Sequence, residues 1–261
     1  MNSEFWFQHF SLNAQRNLIL PLPTSLPCSL GDSEKAALAR SLAIFQLGES
    51  GSGTRLKRYI ERTRLQALPG YAKAINAFVV EEQSHAALLL RLISYLEHPP
   101  LEKQWTNSVF RTIRNLVNLE FNIQVLLTAE LIAEVYFGAL AMHTTDPAIR
   151  TVARKILRDE MGHLQFQREF LITRLGHLKP WQKTLWTTQF RSVHLATAVV
   201  VTWDHRQALR VLGWTPWRFV RRTQQAREAF LKRLWSTKQT HRLPSKESAW
   251  PQPIPTFSSD A

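Results

Sequence analysis

Residues 78–90 read FVVEEQSHAALLL, and residues 158–166 read RDEMGHLQF. Each segment carries an acid followed by Glu-x-x-His: Glu81-Glu82-Gln83-Ser84-His85 and Asp159-Glu160-Met161-Gly162-His163. On an α-helix, residues three apart share a face about one turn apart, so the carboxylate and imidazole of each motif can reach the same metal ion. One Glu-x-x-His alone is more often an exposed pair on a helix surface. The flanks argue otherwise here: Phe78, Val79 and Val80 precede the first motif, and Leu88, Leu89 and Leu90 follow it. Acids in such apolar company are seldom buried unless they are paired or bound to metal.

Helix punctuation places both motifs mid-helix. Asp32-Ser33 starts a helix, with Glu34 in its first turn, and the pattern runs to about Leu68 before Pro69-Gly70 breaks it. A second helix is expected from Tyr71 to His98, closed by Pro99-Pro100. A third pattern, one helix or two, spans Asn107 to Met142. Asp146-Pro147 pairs an N-cap with a first-turn proline and opens a fourth helix, which Gly176 ends. Lys179-Pro180 opens a fifth that reaches about Gly213, and Thr215-Pro216 opens a sixth that ends near Trp235. No alternating apolar pattern bounded by turns marks a strand. The chain is therefore expected to be all-α. Residues 1–31, with Pro21, Pro23 and Pro27, read as an irregular N-terminal arm held down by Phe5, Trp6, Phe7 and Phe10. Residues 32–176 form a four-helix bundle, 177–236 two additional helices packed on it, and 237–261 a Pro-rich tail.

Each motif has a glutamate on the preceding helix at a matching distance from the turn. Glu49 precedes Glu82 by 33 residues, with Pro69-Gly70 near the midpoint; Glu130 precedes Glu160 by 30, with Asp146-Pro147 near the midpoint. In antiparallel helices, residues equidistant from the turn meet at one level. Two such hairpins stacked together bring four carboxylates and two imidazoles into the middle of a bundle. Glu134 would sit about 6 Å nearer the loop than Glu130 and reads as an outer group. Four acids carry a charge that two divalent cations neutralise, and carboxylate–imidazole ligation with open positions suits Fe(II) and O₂.

The order Glu49, Glu82-x-x-His85, Glu130, Glu160-x-x-His163 resembles the ferritin-like di-iron carboxylate superfamily over residues 33–176. The resemblance implies two Fe ions, or Mn/Fe, with Glu82 and Glu160 bridging, Glu49 and Glu130 terminal, and His85 and His163 each on one metal. It also implies that Asp159 binds the far nitrogen of His85. The duplication adds a reciprocal pair, Glu81 with His163. Similar patterns occur in rubrerythrins, fatty-acyl desaturases, aldehyde-deformylating oxygenases, arylamine N-oxygenases and a tRNA hydroxylase, so the superfamily leaves the substrate open. Tyr136, near Glu130, is a candidate beside the ligands. Gly48, Gly51 and Gly53 leave room next to Glu49 for a substrate or O₂ channel. His194 is a weaker candidate for an extra ligand, and Asp204-His205 reads as a polar cluster on a helix surface.

The expected function is a monooxygenase, desaturase or N-oxygenase that activates O₂ against an organic substrate and draws electrons from a separate donor. The rivals are a non-catalytic iron-storage or peroxide-detoxifying protein, and a basic RNA- or membrane-binding helical protein with a structural metal. No phosphate loop, dinucleotide fingerprint or nucleophile elbow is present. The single cysteine, Cys28, excludes a disulfide framework within the chain and suggests a cytoplasmic setting. No signal peptide or uninterrupted apolar run long enough to span a bilayer is expected. Net charge is +13, and residues 205–242 hold ten basic residues against Glu228 alone. That patch suits an acidic carrier protein, an anionic membrane or RNA, and a homodimer is the expected assembly.

Overall fold

The structure, a computed structural model, describes residues 2–25, 27–51, 53–54, 70–104 and 119–236, the side chains of 119 and 120 excepted. Among the described residues there are eight helices and no strand. Four of them form the bundle: α2 (Asp32–Glu49), α3 (Tyr71–Tyr95), α4 (Leu119–His143) and α5 (Pro147–Leu175). Helix α2 packs on α3, α4 packs on α5, and α3 meets α5. These are the hairpin pairings expected from the spacing. Asp146 caps α5, its Oδ1 accepting from Ala148 N at 2.9 Å and Ile149 N at 3.0 Å.

The N-terminal segment departs from expectation. Residues Ser3–Leu18 are not an irregular arm but a helix, α1, capped by Asn2 and laid along α3. Its buried face is Trp6, Phe10, Asn13, Ala14 and Asn17, a helical period in which two of the five residues are asparagines. Those amides hide the apolar stripe that would have betrayed the helix. The prolines at 21, 23 and 27 follow the helix rather than interrupt it.

Helix α2 stops at Glu49 instead of running on to Leu68. Gly53 has φ +61, a left-handed conformation that ends a helix, and a Cβ there would lie 2.5 Å from the Val79 side chain. The stretch expected as helix over 55–68, the first part of the third pattern over 107–118, and the tail expected over 237–261 lie outside the described residues.

After the bundle, the described residues form three helices rather than two: α6 (Pro180–Asp204), α7 (Arg206–Val211) and α8 (Pro216–Trp235). The extra break falls at His205, whose backbone leaves the helical path with φ −95 and ψ 9. Its ring turns inward to Ser41 of α2. Helix α4 is long and apolar enough over Phe121–His143 to cross a bilayer by length and composition. Here it lies in the bundle and carries Glu130, with α5, α6 and α8 packed around it.

Two apolar clusters fill the bundle. Leu38, Leu42, Leu89, Leu92, Phe137 and Val152 belong to one, and Phe10, Phe78, Leu127, Phe166 and Phe170 to the other. Along α3 the order is cluster, Glu81–His85, cluster; along α5 the same order holds around Asp159–His163. Each fully buried Leu or Phe stabilises the fold by about 1.5–3 kcal/mol. The acidic belt is thus clamped between two layers that oppose opening.

Candidate metal centre

The belt gathers all six expected ligands. Potential donor atoms of Glu82, Glu130, Glu160 and His163 lie within 4.8 Å of one another, and so do those of Glu49, Glu82 and His85. Glu82 is common to both groups. His163 Nδ1 lies 2.9 Å from Glu82, 3.1 Å from Glu130 and 3.5 Å from Glu160. Glu130, Glu160, His85 and His163 are buried. Gln167 Nε2 donates to the second oxygen of Glu130 at 3.0 Å.

The outer acids are exchanged between the motifs. His85 Nε2 is 2.9 Å from Asp159 Oδ2, and His163 Nε2 is 3.3 Å from Glu81 Oε2. Both expected pairs are present, each from α3 to α5. In both rings Nε2 faces the outer acid. Nδ1 of His163 faces the inner carboxylates, and Nδ1 of His85 is buried without a hydrogen-bond partner.

Residues 41–171 match the family model Rubrerythrin, a span that runs from the second half of α2 nearly to the end of α5 and includes all six belt residues. The chain belongs to the rubrerythrin family. No curated protein and no solved structure matches the chain. Rubrerythrins are a ferritin-like di-iron carboxylate family, and domains of this type bind iron. The all-α, ferritin-like fold expected from the sequence is therefore the fold observed.

The belt residues fit cations on physical grounds. Burial, then the neighbouring Glu82, pushes the Glu49 carboxyl well above its usual range. Burial, then Glu130, does the same to Glu160. Burial alone would raise Glu82 too, but His163 beside it holds that carboxyl down at about 2. Burial opposes charging of His163, yet Glu130, Glu82 and Glu81 together hold its pKa well above the usual histidine value. Packed acids that can stay charged only by sharing protons or a protonated imidazole are groups a cation would relieve. The Nδ1 of His85, buried beside the acids, lacks a hydrogen-bond partner, as a nitrogen placed to ligate a cation would.

Support comes from residues the sequence reading passed over. Asn17 of α1 donates to Asp159 Oδ2 at 3.1 Å and to Ser84 Oγ at 2.9 Å, and Ser84 donates to the Glu81 carbonyl at 2.6 Å. Lys155 pairs with Asp159 one turn before it on α5. Asp159 is thus held below the usual carboxylate range: burial would raise it, but His85 and Lys155 outweigh burial. A Cβ on Gly162 would lie 2.9 Å from His9 Nε2, so any larger residue there would have to displace the His9 ring.

Other expected residues fall elsewhere. Glu134 joins none of the donor groups; burial raises its carboxyl to about 7, with Arg233 of α8 lowering it and Glu160 raising it. Tyr136 does not stand beside the ligands. Six residues from Glu130, it points about 240° round the helix. Its hydroxyl bonds Ser41, and its ring stacks on Phe45 at 4.5 Å. His194 is buried against Gln224 of α8, far from a ligand role. Asp204 and His205 are not a surface cluster: both are buried, with Gln104 donating to Asp204 and Ser41 Oγ 2.7 Å from His205 Nδ1. Ser41 Oγ stands between the Tyr136 hydroxyl and His205 Nδ1 and bonds both.

Beside the belt lies a cavity of about 260 Å³. Glu49, Glu82, Glu130 and Glu160 line one part, and Phe45, Phe78, Val125 and Ile132 are among its apolar walls. Thr197, Asp204 and His205 add polar groups, and Gly48, Gly51 and Gly53 line it as well. A Cβ on Gly48 would meet nothing within 4 Å.

Proposed function

We propose that this rubrerythrin-family chain is a non-haem di-iron oxidase or oxygenase that uses O₂ to oxidise a small, mostly apolar organic molecule. Glu49, Glu82, His85, Glu130, Glu160 and His163 would hold two iron ions, with Glu82 shared between them. When bound, the irons would supply the electrons and the Lewis acidity with which O₂ is activated. Everything else falls to the protein. Asp159 bonds His85 Nε2 and leaves Nδ1 of that ring free to ligate, and Glu81 stands 3.3 Å from His163 Nε2 in the mirrored position. The two apolar clusters cover the belt from both ends of the bundle.

The single observation that carries the reading is the cavity. A water molecule occupies about 30 Å³, so peroxide or O₂ alone needs far less room than the 260 Å³ beside these carboxylates. Its walls favour an apolar body, and Thr197, Asp204 and His205 in the lining supply polar groups for a polar end. The electron donor would be a separate protein.

The test is O₂ uptake by the iron-loaded protein with a panel of small apolar alcohols, aldehydes and amines, products being followed by mass spectrometry with ¹⁸O₂. Product formation dependent on iron supports the reading. Gly48→Phe, which fills the cavity, should abolish product while iron is retained. Rapid peroxide reduction with no organic product in the wild type would instead assign the site to peroxide detoxification.

A further inference from the structure

Helix α6 carries an apolar stripe on the side turned away from the bundle. Trp181, Leu185, Leu195, Val199 and Trp203 are all exposed, the two tryptophans at 62% and 66%. At 100° per residue these five fall within about 40° of one line, and Thr188 and Ser192 complete it. The stripe is about 33 Å long and contains no charged residue. The opposite side of the same helix, through Thr197, Val201 and Asp204, forms part of the cavity wall.

The stripe ends in a basic cluster. Helices α6 and α8 run antiparallel, because Thr187 meets Trp235, Arg191 meets Glu228 and His194 meets Gln224. The C-terminal end of α6 is therefore level with the N-terminal end of α8. There Trp203 and Trp217 are exposed together with Arg210, Arg218 and Arg221. The Arg206 guanidinium lies over the Trp203 ring at 4.5 Å, and that of Arg218 over Trp214 at 4.7 Å.

We propose that the exposed face of α6, with the arginine cluster at its C-terminal end, docks this protein on an anionic lipid surface. An uncharged stripe bounded by tryptophans suits a helix lying in the plane of a bilayer interface, where indole rings sit at headgroup level. Arginines on the rim reach lipid phosphates while their stems pack on the rings. The surplus of basic residues over 205–242 is complementary to such a surface. RNA would need its phosphate contacts along the stripe, where no cation stands. Docking would also set the cavity on the inner side of the helix that meets the lipid.

The experiment is co-sedimentation of the full iron-loaded chain with phosphatidylcholine vesicles containing about a quarter phosphatidylglycerol, with tryptophan emission recorded in parallel. Binding with a blue shift is expected, together with weak binding to pure phosphatidylcholine and weakening at high salt. The double change Leu195→Glu/Val199→Glu and the double change Arg218→Glu/Arg221→Glu should each lower partitioning about ten-fold or more. Helicity and iron content should match wild type in both, which separates lost docking from misfolding and from failure of the metal reading. Three results would overturn the proposal: no vesicle binding by the wild type; binding that both double variants leave unchanged; or no vesicle binding with a dimer, or an RNA complex, that the same variants abolish.

Discussion

His85 Nε2 lies 2.9 Å from Asp159 Oδ2, a bond from α3 to α5 that crosses from one Glu-x-x-His motif to the other. An ionised carboxylate only accepts, so this contact places the ring proton on Nε2 and leaves Nδ1 to face the belt. Glu81 stands toward His163 in the mirrored relation, at 3.3 Å. Each motif therefore sets an acid beside the imidazole of its counterpart, and neither hairpin builds a complete site alone.

Asp159→Asn should keep the packing and weaken the orientation. The amide can present a donor to His85 and cannot pair with Lys155 as a charge. Chelator competition is expected to show iron binding about 10–100-fold weaker, with helicity retained. Glu81→Gln should act the same way to a smaller extent, since its contact is longer. Unchanged affinity in both would mean that the exchanged pairs are structural only.

Glu130 and Glu134 separate by role. Glu130 meets His163 at 3.1 Å, and Glu134 meets no ligand candidate. Glu130→Ala should lose bound iron, whereas Glu134→Gln should retain it. The latter should also stabilise the protein near neutral pH. Burial raises the Glu134 carboxyl from 4.5 to about 7, so the folded state holds a proton that the unfolded chain has released, and stability falls as pH rises through that window. Removing the titration should flatten that fall in thermal melts between pH 5 and about pH 7.

Acid should destabilise the protein through its buried neutral histidines. Burial lowers His205 and His194 from 6.5 to about 3 each. Below 6.5 the unfolded chain binds protons there that the folded chain refuses, so stability is lost as pH falls from 6.5 toward 3. Each group contributes a slope of about 1.4 kcal/mol per pH unit. His205→Asn should remove one such slope in urea denaturation across that range. An unchanged slope would contradict a neutral His205.

Among the glycines near Glu49, only one is required by the backbone. Gly53→Ala must face both φ +61 and the Val79 side chain, and a loss of about 1–3 kcal/mol is expected. Gly48→Ala meets open space and should cost no more than a few tenths, or stabilise slightly, because alanine favours a helix. Thermal melts of the two variants decide this.

The belt was legible because a helix turns three-residue spacing into shared facing, and because proline-marked turns fixed which glutamates lie level. Asn17 was not legible. An amide on the buried face of α1 looks like a break in the apolar period, while in space it joins Asp159 to Ser84. His205 was missed for a related reason: apolar residues continue on both sides of it, so nothing local shows that Ser41, 164 positions away, draws its ring inward. Tyr136 misled because nearness in sequence to Glu130 was read as nearness in space, where the helix turns it toward Phe45 instead.

Iron stoichiometry tests the central claim most directly. Anaerobic loading with Fe(II), removal of excess and elemental analysis should, on the proposed reading, give about two irons per chain, held by the donor groups that meet at Glu82. His85→Ala and His163→Ala should each lower that number, and the double variant should retain almost none while remaining helical. Two irons held by the double variant, or none held by the wild type, would contradict the account.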